Sequence, residues 1–572
     1  MTLTLLSLRH VRFPLLTIVA LAPIPLAFAQ QSTPGIDAQR RQDEQRQQTE
    51  QRVAERPSVL APSTEPRSID LASLPLDTPC FPIRTLQLDG NPFDWLDALL
   101  QPVVGQCVGA SAIQAIQDAA NNALIERGFV TSRVLIPQQD LASGALRLTV
   151  LAGRVAAVKR DPASGSEIGW SRAVLPAYPG TLYNQRDIDQ ALESVRRLSG
   201  QADTAFDVTP SDAPDAHPGD SILVVKPSDD KRSHATIGAD NYGLDTTGRY
   251  NLNGSFTFDS PLHLYDQLTL SGSTNANFHS DEKASRSAAL NWNVPVGYAS
   301  LFVNASRSRY VQSVAGYEEP LRYSGDSAEL NAGVSYVPYR SASARTSTQF
   351  KLYHRLGHSF IDGQSLDVQS RDLIGVETSA SHQQYIGSAV LSGGVAWRQT
   401  IRGITHNPGT LTGSPDWDGK TRIATANLQA SVPFAIGGQT LRYAGQVNWQ
   451  HAYTRIVPFD YLTIGSPYTV RGFDGQTTLA AESGWTWRNE LGVQIAGQTP
   501  FVALDAGRVS GPSAPALLGT TLVGTALGLR GRLPASRYAA IDYEITLGWP
   551  LVKPRGFPTA HPALMFQATT LF

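Results

Sequence analysis

Polar and apolar residues alternate in short stretches from about residue 233 to the end of the chain. In the segment 250–258, Tyr, Leu and Phe side chains share one face, and Asn, Ser and Thr side chains share the other. The segment 541–549 repeats this arrangement, with Ile, Tyr, Leu and Trp opposite Asp, Glu and Thr. A period of two places successive side chains on opposite faces of a β-strand. The pattern therefore predicts a run of strands that each have one apolar and one polar face.

Two architectures predict this alternation. A soluble β-sandwich or propeller buries the apolar faces, whereas a transmembrane β-barrel turns them towards lipid and its polar faces towards a lumen. The strand-like segment 563–572 ends the chain on Phe572, and many Asn, Gly and Ser residues occupy the polar faces. Together with the export signal described next, these features favour a barrel. At roughly 20 residues per strand and turn, residues 228–572 hold about 16 antiparallel strands around a water-filled lumen.

The N-terminus has the layout of a secretory signal peptide. Arg9, His10 and Arg12 precede an apolar run that ends in Ala27-Phe28-Ala29. This order of basic, apolar and small residues predicts a signal peptide at 1–29 with cleavage after Ala29. No other window approaches the roughly 20 apolar residues that a membrane-spanning helix needs. The mature chain is thus expected to be exported without a helical span.

The next two segments are polar and then rich in proline. Residues 36–55, within 30–56, are rich in Gln, Arg and Glu and have good helix propensity but no apolar stripe. Two interpretations remain open: a solvated tether, or a polar plug helix lying in a water-filled lumen. Residues 57–79 contain five prolines and are expected to form an extended linker.

Two similar units follow, at 80–153 and 154–227, each predicted as a small β-α-α-β-β module. In the first, Ser111 and Gln114 suggest a capping box at the start of a helix that ends at Gly128. In the second, Asn184 is the expected start of a helix and Gly200 its end. Both units resemble POTRA (polypeptide-transport-associated) domains, whose exposed strand edges receive extended peptides by strand addition.

The chain has only two cysteines, Cys80 and Cys107, both in the exported part. An oxidising compartment favours a disulfide between them. The alternative is a pair of buried free thiols. A metal site is disfavoured because a closed zinc site needs four ligands and no histidine is near.

Charge and motifs exclude several other classes of function. The formal net charge is −2, and no basic run follows the signal, so nucleic acid is not an expected partner. "GDSI" at 219–222 resembles the start of a serine esterase motif, but no D-x-x-H follows Ser221, and the nearby His217 is expected in a turn. His354 and His358 would lie about 13 Å apart on one face of a strand. No enzyme activity, cofactor or metal is therefore expected.

One motif carries the most specific resemblance. "IGSPYTVRGFDG" contains a Val-Arg-Gly-Phe sequence, and "SGWTWRNEL" and "FVALDAGRV" follow it. With the order of signal, polar segment, paired units and barrel, these stretches resemble the transporters of two-partner secretion, the TpsB family of the outer-membrane assembly-factor superfamily. The resemblance implies an outer-membrane barrel with periplasmic POTRA domains, a loop around 460–480 folded back into the barrel, and Phe572 as a barrel-insertion signal.

Arg471 is the candidate functional residue of this loop. A guanidinium group stays charged and is costly to bury without a partner, so a loop that enters the lumen needs a carboxylate on the wall. The resemblance implies Asp505 as that partner, with Glu490 as a second candidate. The other interpretation is that Arg471 caps a hairpin at the surface.

We hypothesise that Val470, Arg471, Gly472 and Phe473 form a latch that stabilises one state of the barrel. In this hypothesis Gly472 gives the backbone freedom beside the wall, and Phe473 fills an apolar niche. A bidentate pair between Arg471 and a carboxylate would fix the loop tip in one geometry.

The resemblance also implies a function and partners. The POTRA domains would bind an exported exoprotein through its N-terminal secretion domain, and the barrel would pass it unfolded to the cell surface. Other expected partners are outer-membrane lipid and, for insertion of the chain itself, the barrel assembly machinery and periplasmic chaperones. Two alternative functions are an assembly factor that inserts other outer-membrane proteins and a passive solute channel.

Overall fold

The computed structural model describes residues 69–165, 168–214, 216–228, 231–276, 282–315, 319–366, 370–401, 403–405, 420–536 and 539–572. The predicted signal peptide at 1–29, the polar segment at 30–56 and the first part of the linker, to residue 68, lie outside the described residues.

The first unit is a three-stranded sheet covered by two helices. Its elements are β1 (Phe81–Pro82), β2 (Thr85–Asp89), α1 (Asp94–Leu100), β3 (Cys107–Val108), α2 (Ala110–Glu126), β4 (Arg133–Leu135) and β5 (Ala145–Leu151). The sheet order is β2-β5-β4, with β2 parallel and β4 antiparallel to β5. Leu96, Ile116, Leu124 and Leu148 are fully buried between helices and sheet. The short strands β1 and β3 pair beside a disulfide between Cys80 and Cys107.

The second unit repeats this topology. It consists of β6 (Val155–Arg160), α3 (Ser171–Val174), α4 (Gln185–Arg196), β7 (Ala205–Pro210) and β8 (Ser221–Lys226). Its sheet order β6-β8-β7 again places the first strand parallel and the middle strand antiparallel to the last. The β-α-α-β-β prediction is therefore confirmed for both units. In each, the first and middle strands are the sheet edges.

The structure corrects two predicted helix ends. Ser111 does not cap α2: the N-cap is Gly109, and Asp77 from the preceding segment accepts bonds from the Ser111 and Ala112 amides (2.8 and 3.2 Å). Gly200 does not end α4, which stops at Arg196; Gly200 lies in a following 3₁₀ turn. For α2, the preceding segment supplies the acceptor that Ser111 was expected to provide. For α4, a 3₁₀ turn separates the end of the helix from the expected stop at Gly200. The two other helix signals are confirmed, because the Asn184 side chain caps α4 and Gly128 follows α2 in a left-handed conformation (φ 92°).

The end of the predicted linker packs against the first unit. Leu71 and Leu74 are 6% and 8% exposed and belong to its core. The side chain of Gln106 donates to the Leu71 carbonyl oxygen at 2.7 Å. From residue 69 onwards the chain is thus held to the sheet and helices, and Asp77 is positioned to cap α2.

We expect Asp77→Ala to accelerate amide hydrogen exchange in 110–126, because the first amides of α2 lose their acceptor. The Ser111 hydroxyl donates to the Asp77 carboxylate and lowers its pKa below the usual value. A depressed pKa stabilises the folded state above the unfolded-state pKa of about 3.9, and this contribution is lost as pH falls through the folded-state value. The difference between the wild type and Asp77→Ala should therefore shrink below about pH 4. Asp118→Ala, which removes only a bond with Gln114 on the same helix, is the control; equal exchange in both variants would contradict the cap.

Sixteen antiparallel strands close into the barrel. They are β9 (Ser233–Asp240), β10 (Asn251–Asp259), β11 (Gln267–Asn275), β12 (Ala284–Val296), β13 (Ala299–Ala315), β14 (Pro320–Arg340), β15 (Ala344–Ile361), β17 (Arg371–Ile386), β18 (Ala389–Thr400), β19 (Arg422–Ile436), β20 (Gln439–Ala452), β23 (Ser483–Val493), β24 (Gln498–Ser510), β25 (Thr521–Ser536), β26 (Ala539–Val552) and β27 (Ala563–Leu571). The two-residue strand β16 (Gln364–Ser365) forms a hairpin with the end of β15, and β21 (Leu462–Ile464) and β22 (Leu479–Ala481) belong to the loop between β20 and β23. The predicted barrel and its strand number are confirmed.

Apolar side chains face outwards on these strands. On β26, Ile545 is 46% exposed, whereas its neighbour Thr546 faces the lumen and is 5% exposed. Leu301 and Leu330, on β13 and β14, are about half exposed on the same outer surface. This is the arrangement of a lipid-facing barrel, and it rules out the soluble sandwich or propeller, in which such faces would be buried.

Among the described residues, no helix is both long and apolar enough to cross a membrane.

The first and last strands close the barrel. β27 pairs with β9 over five residue pairs, from Gln567↔Asp240 to Leu571↔Thr236, whereas β13 and β14 share seventeen. Phe572 extends this seam: its amide donates to the Ala235 carbonyl oxygen at 3.0 Å. The terminal residue thus lies at the shortest strand pairing in the barrel wall.

The second unit is docked on one mouth of the barrel through α4. The Tyr298 hydroxyl, in the turn between β12 and β13, donates to Asp187 at 2.6 Å. At the end of β14, Arg340 donates to Gln190 at 2.9 Å and to Glu193 at 2.6 Å. These acceptors recur at every third position of α4 and so share one helix face. The second unit, which precedes β9 in sequence, therefore lies at this mouth of the barrel.

Candidate functional site: a loop held inside the barrel

The loop between β20 and β23 folds back into the barrel from the opposite mouth. It contains a 3₁₀ turn at Pro458–Asp460 and two short strands, β21 (Leu462–Ile464) and β22 (Leu479–Ala481), which pair with each other. The hairpin places the stretch 466–475 at its tip, and most of that stretch is buried. The predicted motif therefore lies against the inner wall.

Arg471 binds both carboxylates that the sequence suggested. Its Nε and Nη2 donate to the two oxygens of Asp505 at 2.8 and 2.9 Å, and its backbone amide donates to Asp505 Oδ2 at 2.9 Å. Its Nη1 donates to Glu490 at 2.6 Å. Arg471 is 7% exposed and Asp505 is fully buried. Arg471 is therefore not the cap of a surface hairpin, and a forked, charge-assisted contact fixes the loop tip to the wall.

The backbone pairing between β23 and β24 is interrupted beside this arginine. The ladder between β23 and β24 runs from Ser483 to Trp487 and resumes at Glu490. In the gap, the Asn489 amide donates to Asp505 Oδ1 at 3.1 Å and its carbonyl oxygen accepts from Arg471 Nη2 at 3.1 Å. Backbone groups that would otherwise pair between strands are thus satisfied by the Arg471–Asp505 pair. Loss of the pair would leave buried polar groups in the wall without partners.

Further charges balance the pair. The Arg488 Nε lies 3.7 Å from Asp505, and Arg488 Nη1 donates to the Tyr468 carbonyl oxygen at 3.0 Å. Arg530 bridges Glu490 and Glu544 at 2.5 and 3.7 Å. The cluster therefore contains three guanidinium groups and three carboxylates, so a displaced loop would leave the wall with excess negative charge.

Glycines on two wall strands allow the loop tip to approach. Gly472 has φ 112°, a conformation that favours glycine, and the nearest backbone atoms belong to Gly524 on β25 and Trp549 on β26. A Cβ at Gly524 would lie 2.0 Å from the Arg471 carbonyl oxygen, and one at Gly548 would lie 2.7 Å from the Gly472 Cα. The loop backbone therefore occupies the space that side chains at these two wall positions would need.

An apolar pocket holds the residues on either side of the arginine. Val470 and Phe473 are fully buried, and Phe473 packs edge-on against Phe557 with ring centroids 5.8 Å apart. The larger side chains among the other members of the cluster come from the loop strands and from β24 and β25: Ile464, Leu479, Val509 and Leu522. Full burial of one such side chain contributes about 1.5–3 kcal/mol.

A second anchor of opposite sign holds the base of the loop. Asp460, 8% exposed, accepts from Arg355 Nη1 on β15 at 2.8 Å and from Arg398 Nη1 on β18 at 3.3 Å. The neighbouring Phe459 ring lies under the Arg371 guanidinium, 4.3 Å from its centroid. The loop therefore presents a cation to an acidic wall at its tip and an anion to a basic wall at its base.

The loop tip also contacts both sides of the barrel seam. Asp474 accepts at 2.7 Å from the Ala560 amide, in the loop before β27. Gln476 donates at 3.1 Å to the Gly243 carbonyl oxygen and accepts at 2.8 Å from the Asp245 amide, both in the loop after β9. The tip thus joins the two loops that follow and precede the closing strands.

Sequence reasoning identified the loop motif and its two carboxylates but missed several partners. Arg488, Arg530 and Glu544 lie on inward-facing positions of predicted strands, so the alternation pattern alone places them in the lumen. Gly524 and Gly548 also occupy inward-facing positions. Nothing in the local pattern indicates which part of the lumen the loop touches, because the contacts on β25 and β26 follow the motif by some fifty to eighty residues.

The other candidate residues make only local structural contacts in the described part of the chain. Ser221 begins strand β8 and His217 lies in the preceding turn, with its amide donating to Asp220. His354 and His358 both lie on β15 and face separate carboxylates, at 2.6 Å from Asp372 and 3.7 Å from Asp326. Within the described ranges, no three His, Cys, Asp or Glu side chains are grouped so as to hold a metal ion.

Comparisons with known sequences agree with this architecture. Residues 219–531 match the family of haemolysin secretion/activation proteins ShlB/FhaC/HecB, and residues 81–153 match the ShlB-type POTRA domain. The outer membrane transporter CdiB-2 of Burkholderia pseudomallei strain 1026b is 32% identical over an alignment that covers 98% of this chain and 100% of the relative. The hemolysin transporter protein ShlB of Serratia marcescens is 24% identical, with 83% of this chain and 84% of the relative covered.

Solved structures show the same fold. CdiB from Escherichia coli matches with a TM-score of 0.81 at 24% identity, covering 94% of this chain and 99% of that chain. CdiB from Acinetobacter baumannii matches with a TM-score of 0.78, also at 24% identity, covering 94% and 98%.

Proposed function

We propose, from the premise that this chain belongs to the haemolysin secretion/activation protein family ShlB/FhaC/HecB, that it binds an unfolded exoprotein in the periplasm and passes it through its lumen. The chain is an outer-membrane transporter of two-partner secretion, with its POTRA units in the periplasm. The family consists of secretion transporters, and we propose that this member likewise catalyses no reaction. The observation that carries the proposal is a closed sixteen-stranded barrel with two POTRA units at one mouth and an ion-paired loop entering from the other.

The POTRA sheet edges are the proposed receptor for the exoprotein. Strands β2 and β4 edge the first sheet, and β6 and β7 edge the second. An extended peptide can add to such an edge through backbone hydrogen bonds, with side-chain contacts supplying specificity. Val208 on β7 is 37% exposed and offers an apolar contact beside one edge. An N-terminal secretion domain rich in extended segments is the ligand that fits this surface.

The loop is the proposed latch of the barrel. Val470, Arg471, Gly472 and Phe473 hold the tip against β24 to β26, and Asp460 holds the base against β15 and β18. Both anchors are buried ion pairs, which are strongly destabilised when one partner is removed. The loop therefore favours one discrete position, and its contacts across the seam couple that position to barrel closure.

The polar N-terminal segment is the proposed second occupant of the lumen. A cavity of about 500 Å³ lies beneath the loop tip, and its lining includes Arg442, Arg530, Asp542 and Glu544. Such a lining suits the mixed Gln, Arg and Glu side chains of residues 36–55. We propose that this segment lies in the lumen at rest and leaves it during transport, which the proline-rich linker would permit.

Insertion of the chain itself is proposed to require the barrel assembly machinery and periplasmic chaperones. The supporting observation is that Phe572, half exposed, ends the strand that closes the barrel. Lipid is a further partner, because apolar side chains cover the outer face.

The transport proposal is tested by expressing the chain with a large exoprotein encoded beside it and measuring that exoprotein outside the cell. We expect export only when the transporter is present, and loss of export when residues 80–226 are deleted. The opposite outcome would favour an assembly factor. In that case the exoprotein is exported equally without the transporter, and unrelated outer-membrane proteins are depleted when the transporter is absent. Unaltered export by the deletion variant would contradict the receptor role of the POTRA units.

The second anchor gives a separate prediction. We expect Asp460→Asn to increase amide hydrogen exchange in 453–464, because Arg355 and Arg398 lose the carboxylate that joins them to the loop. Secretion should fall several-fold while the tip contacts remain. Asp372→Asn, which weakens an outer pair with the partly exposed His354, is the matched control and should change neither quantity. Unchanged exchange in Asp460→Asn would show that the base of the loop is held by its apolar contacts alone.

A further inference from the structure

The outer surface of the barrel carries a group of arginines just beyond its apolar band. Arg286 lies on β12, and Arg307 and Arg309 lie on β13; all three are exposed. Their positions alternate with lumen-facing Ser287 and Ser308, so the arginines share the face of the outward Leu301. We call Arg286, Arg307 and Arg309 the outer arginine cluster.

The height of the cluster follows from the strand geometry. The turn before β13 contacts the second POTRA unit through Tyr298, so it lies on the periplasmic side. From there to Arg307 the strand climbs nine residues. At about 3.4 Å per residue and a tilt of about 40°, this rise is roughly 20–25 Å, close to the height of an apolar barrel band. The cluster therefore lies at the level of the outer-leaflet head groups.

The arginines repel one another. Arg286 is directly opposite Arg309 in the β12–β13 register, and like charges in this position destabilise a strand pair. None of the three has a carboxylate oxygen within 4 Å in the described part of the chain. The acid opposite Arg309, Asp326 on β14, instead lies 3.7 Å from His358. An anion between Arg286 and Arg309 would relieve this repulsion.

We propose that the outer arginine cluster binds the phosphate groups of a phosphorylated glycolipid in the outer leaflet. Guanidinium groups donate in a planar fork that matches phosphate oxygens. Below the cluster, the exposed Leu301 and Leu330 and the half-buried Leu290 provide an apolar surface for acyl chains. A phosphorylated lipid can contact the arginines through its phosphates and the leucines below them through its acyl chains. Free phosphate can contact only the arginines.

The outer arginine cluster lies on β12 and β13, which with β14 are three to five strands from the seam strand β9. A lipid bound there would neutralise three like charges and hold these strands at a fixed height in the membrane. Another part of the outer wall gives a contrast, because Arg422 on β19 faces outwards with Gln399, not another arginine, across from it.

The test uses the purified full-length chain in detergent and native mass spectrometry. The probe is bis-phosphorylated lipid A, compared with the same lipid without its phosphates. We expect the triple variant R286Q/R307Q/R309Q to bind lipid A about 100-fold more weakly than the wild type. The wild type should bind lipid A about 100-fold more tightly than the same lipid without its phosphates. R422Q should bind lipid A like the wild type.

Three results would overturn the proposal. One is equal binding of lipid A by the triple variant and the wild type. Another is equal binding of the phosphorylated and dephosphorylated lipids, which would leave only acyl contacts. The third is displacement of lipid A by millimolar inorganic phosphate, which would indicate a site for free phosphate. If the triple variant does not fold, as judged by heat-dependent mobility on gels, R286Q carries the same comparison with an expected effect of about 5-fold.

Discussion

Asp505→Asn is expected to reduce secretion of the exoprotein at least tenfold while the barrel remains inserted. The substitution preserves the size of the side chain but removes the charge that pairs with Arg471 in a site where Asp505 is fully buried. Removing one partner of a buried pair costs about 3–5 kcal/mol; here the forked, charged contact with Asp505 is lost and Glu490 alone remains to balance Arg471. A cost of this size changes the equilibrium constant between the bound and released positions of the loop by more than 100-fold in favour of release.

Release of the loop can be measured separately from secretion. Arg471 is 7% exposed in the bound loop, so trypsin added to intact cells should cleave after it only when the tip is released. We expect cleavage in Asp505→Asn and protection in the wild type. Asp542→Asn is the matched control, because Asp542 forms the same type of forked pair with Arg532, an arginine whose side chain is 63% exposed. Exposed pairs contribute only about 0–1 kcal/mol.

A charge swap distinguishes the pair from a general effect of mutation. The double variant Arg471→Asp, Asp505→Arg restores opposite charges at the same two positions. Partial recovery of secretion lost in both single variants would support the pair. If neither single variant impairs secretion, the latch hypothesis is wrong.

Gly524→Ala is expected to displace the loop without altering any charge. Gly524 lies directly opposite Asp505 in the β24–β25 register, and an added Cβ would lie 2.0 Å from the Arg471 carbonyl oxygen. Backbone on both sides cannot move away as a flexible side chain can, and overpacking of this kind typically costs about 1–3 kcal/mol. We expect trypsin cleavage at Arg471 and a loss of secretion that approaches that of Asp505→Asn.

Gly393→Ala is the control for this prediction. Gly393 is also a wall glycine, on β18, but the nearest atom to an added Cβ is 3.5 Å away, an ordinary contact. It should leave both trypsin protection and secretion unchanged. A protected loop in Gly524→Ala would show that the wall strands adjust, and the close approach at Gly472 would then not constrain the loop.

The helix ends show where local sequence reasoning succeeded and failed. Asn184 was correctly predicted as a cap, because its side chain and the amide it binds are two residues apart. Ser111 was wrongly predicted as one, because Asp77, thirty-four residues earlier, accepts from the first amides of α2 instead. A capping box can be recognised from adjacent residues, but a competing acceptor brought in by tertiary packing cannot.

The strand-rich region with its alternating faces and the two β-α-α-β-β units could be predicted from the chain alone, because a period of two, helix caps and repeats are local patterns. The sequence also determined that Arg471 needs a carboxylate, since a guanidinium group remains charged when buried. The folded barrel was needed to establish that Arg471 contacts both Asp505 and Glu490, that Gly524 and Gly548 make room for the loop, and that Asp460 holds its base to β15 and β18. Barrel closure and loop insertion bring together residues more than 300 positions apart, such as Gln567 and Asp240, and alternation records which face a residue occupies but not its neighbour across the lumen.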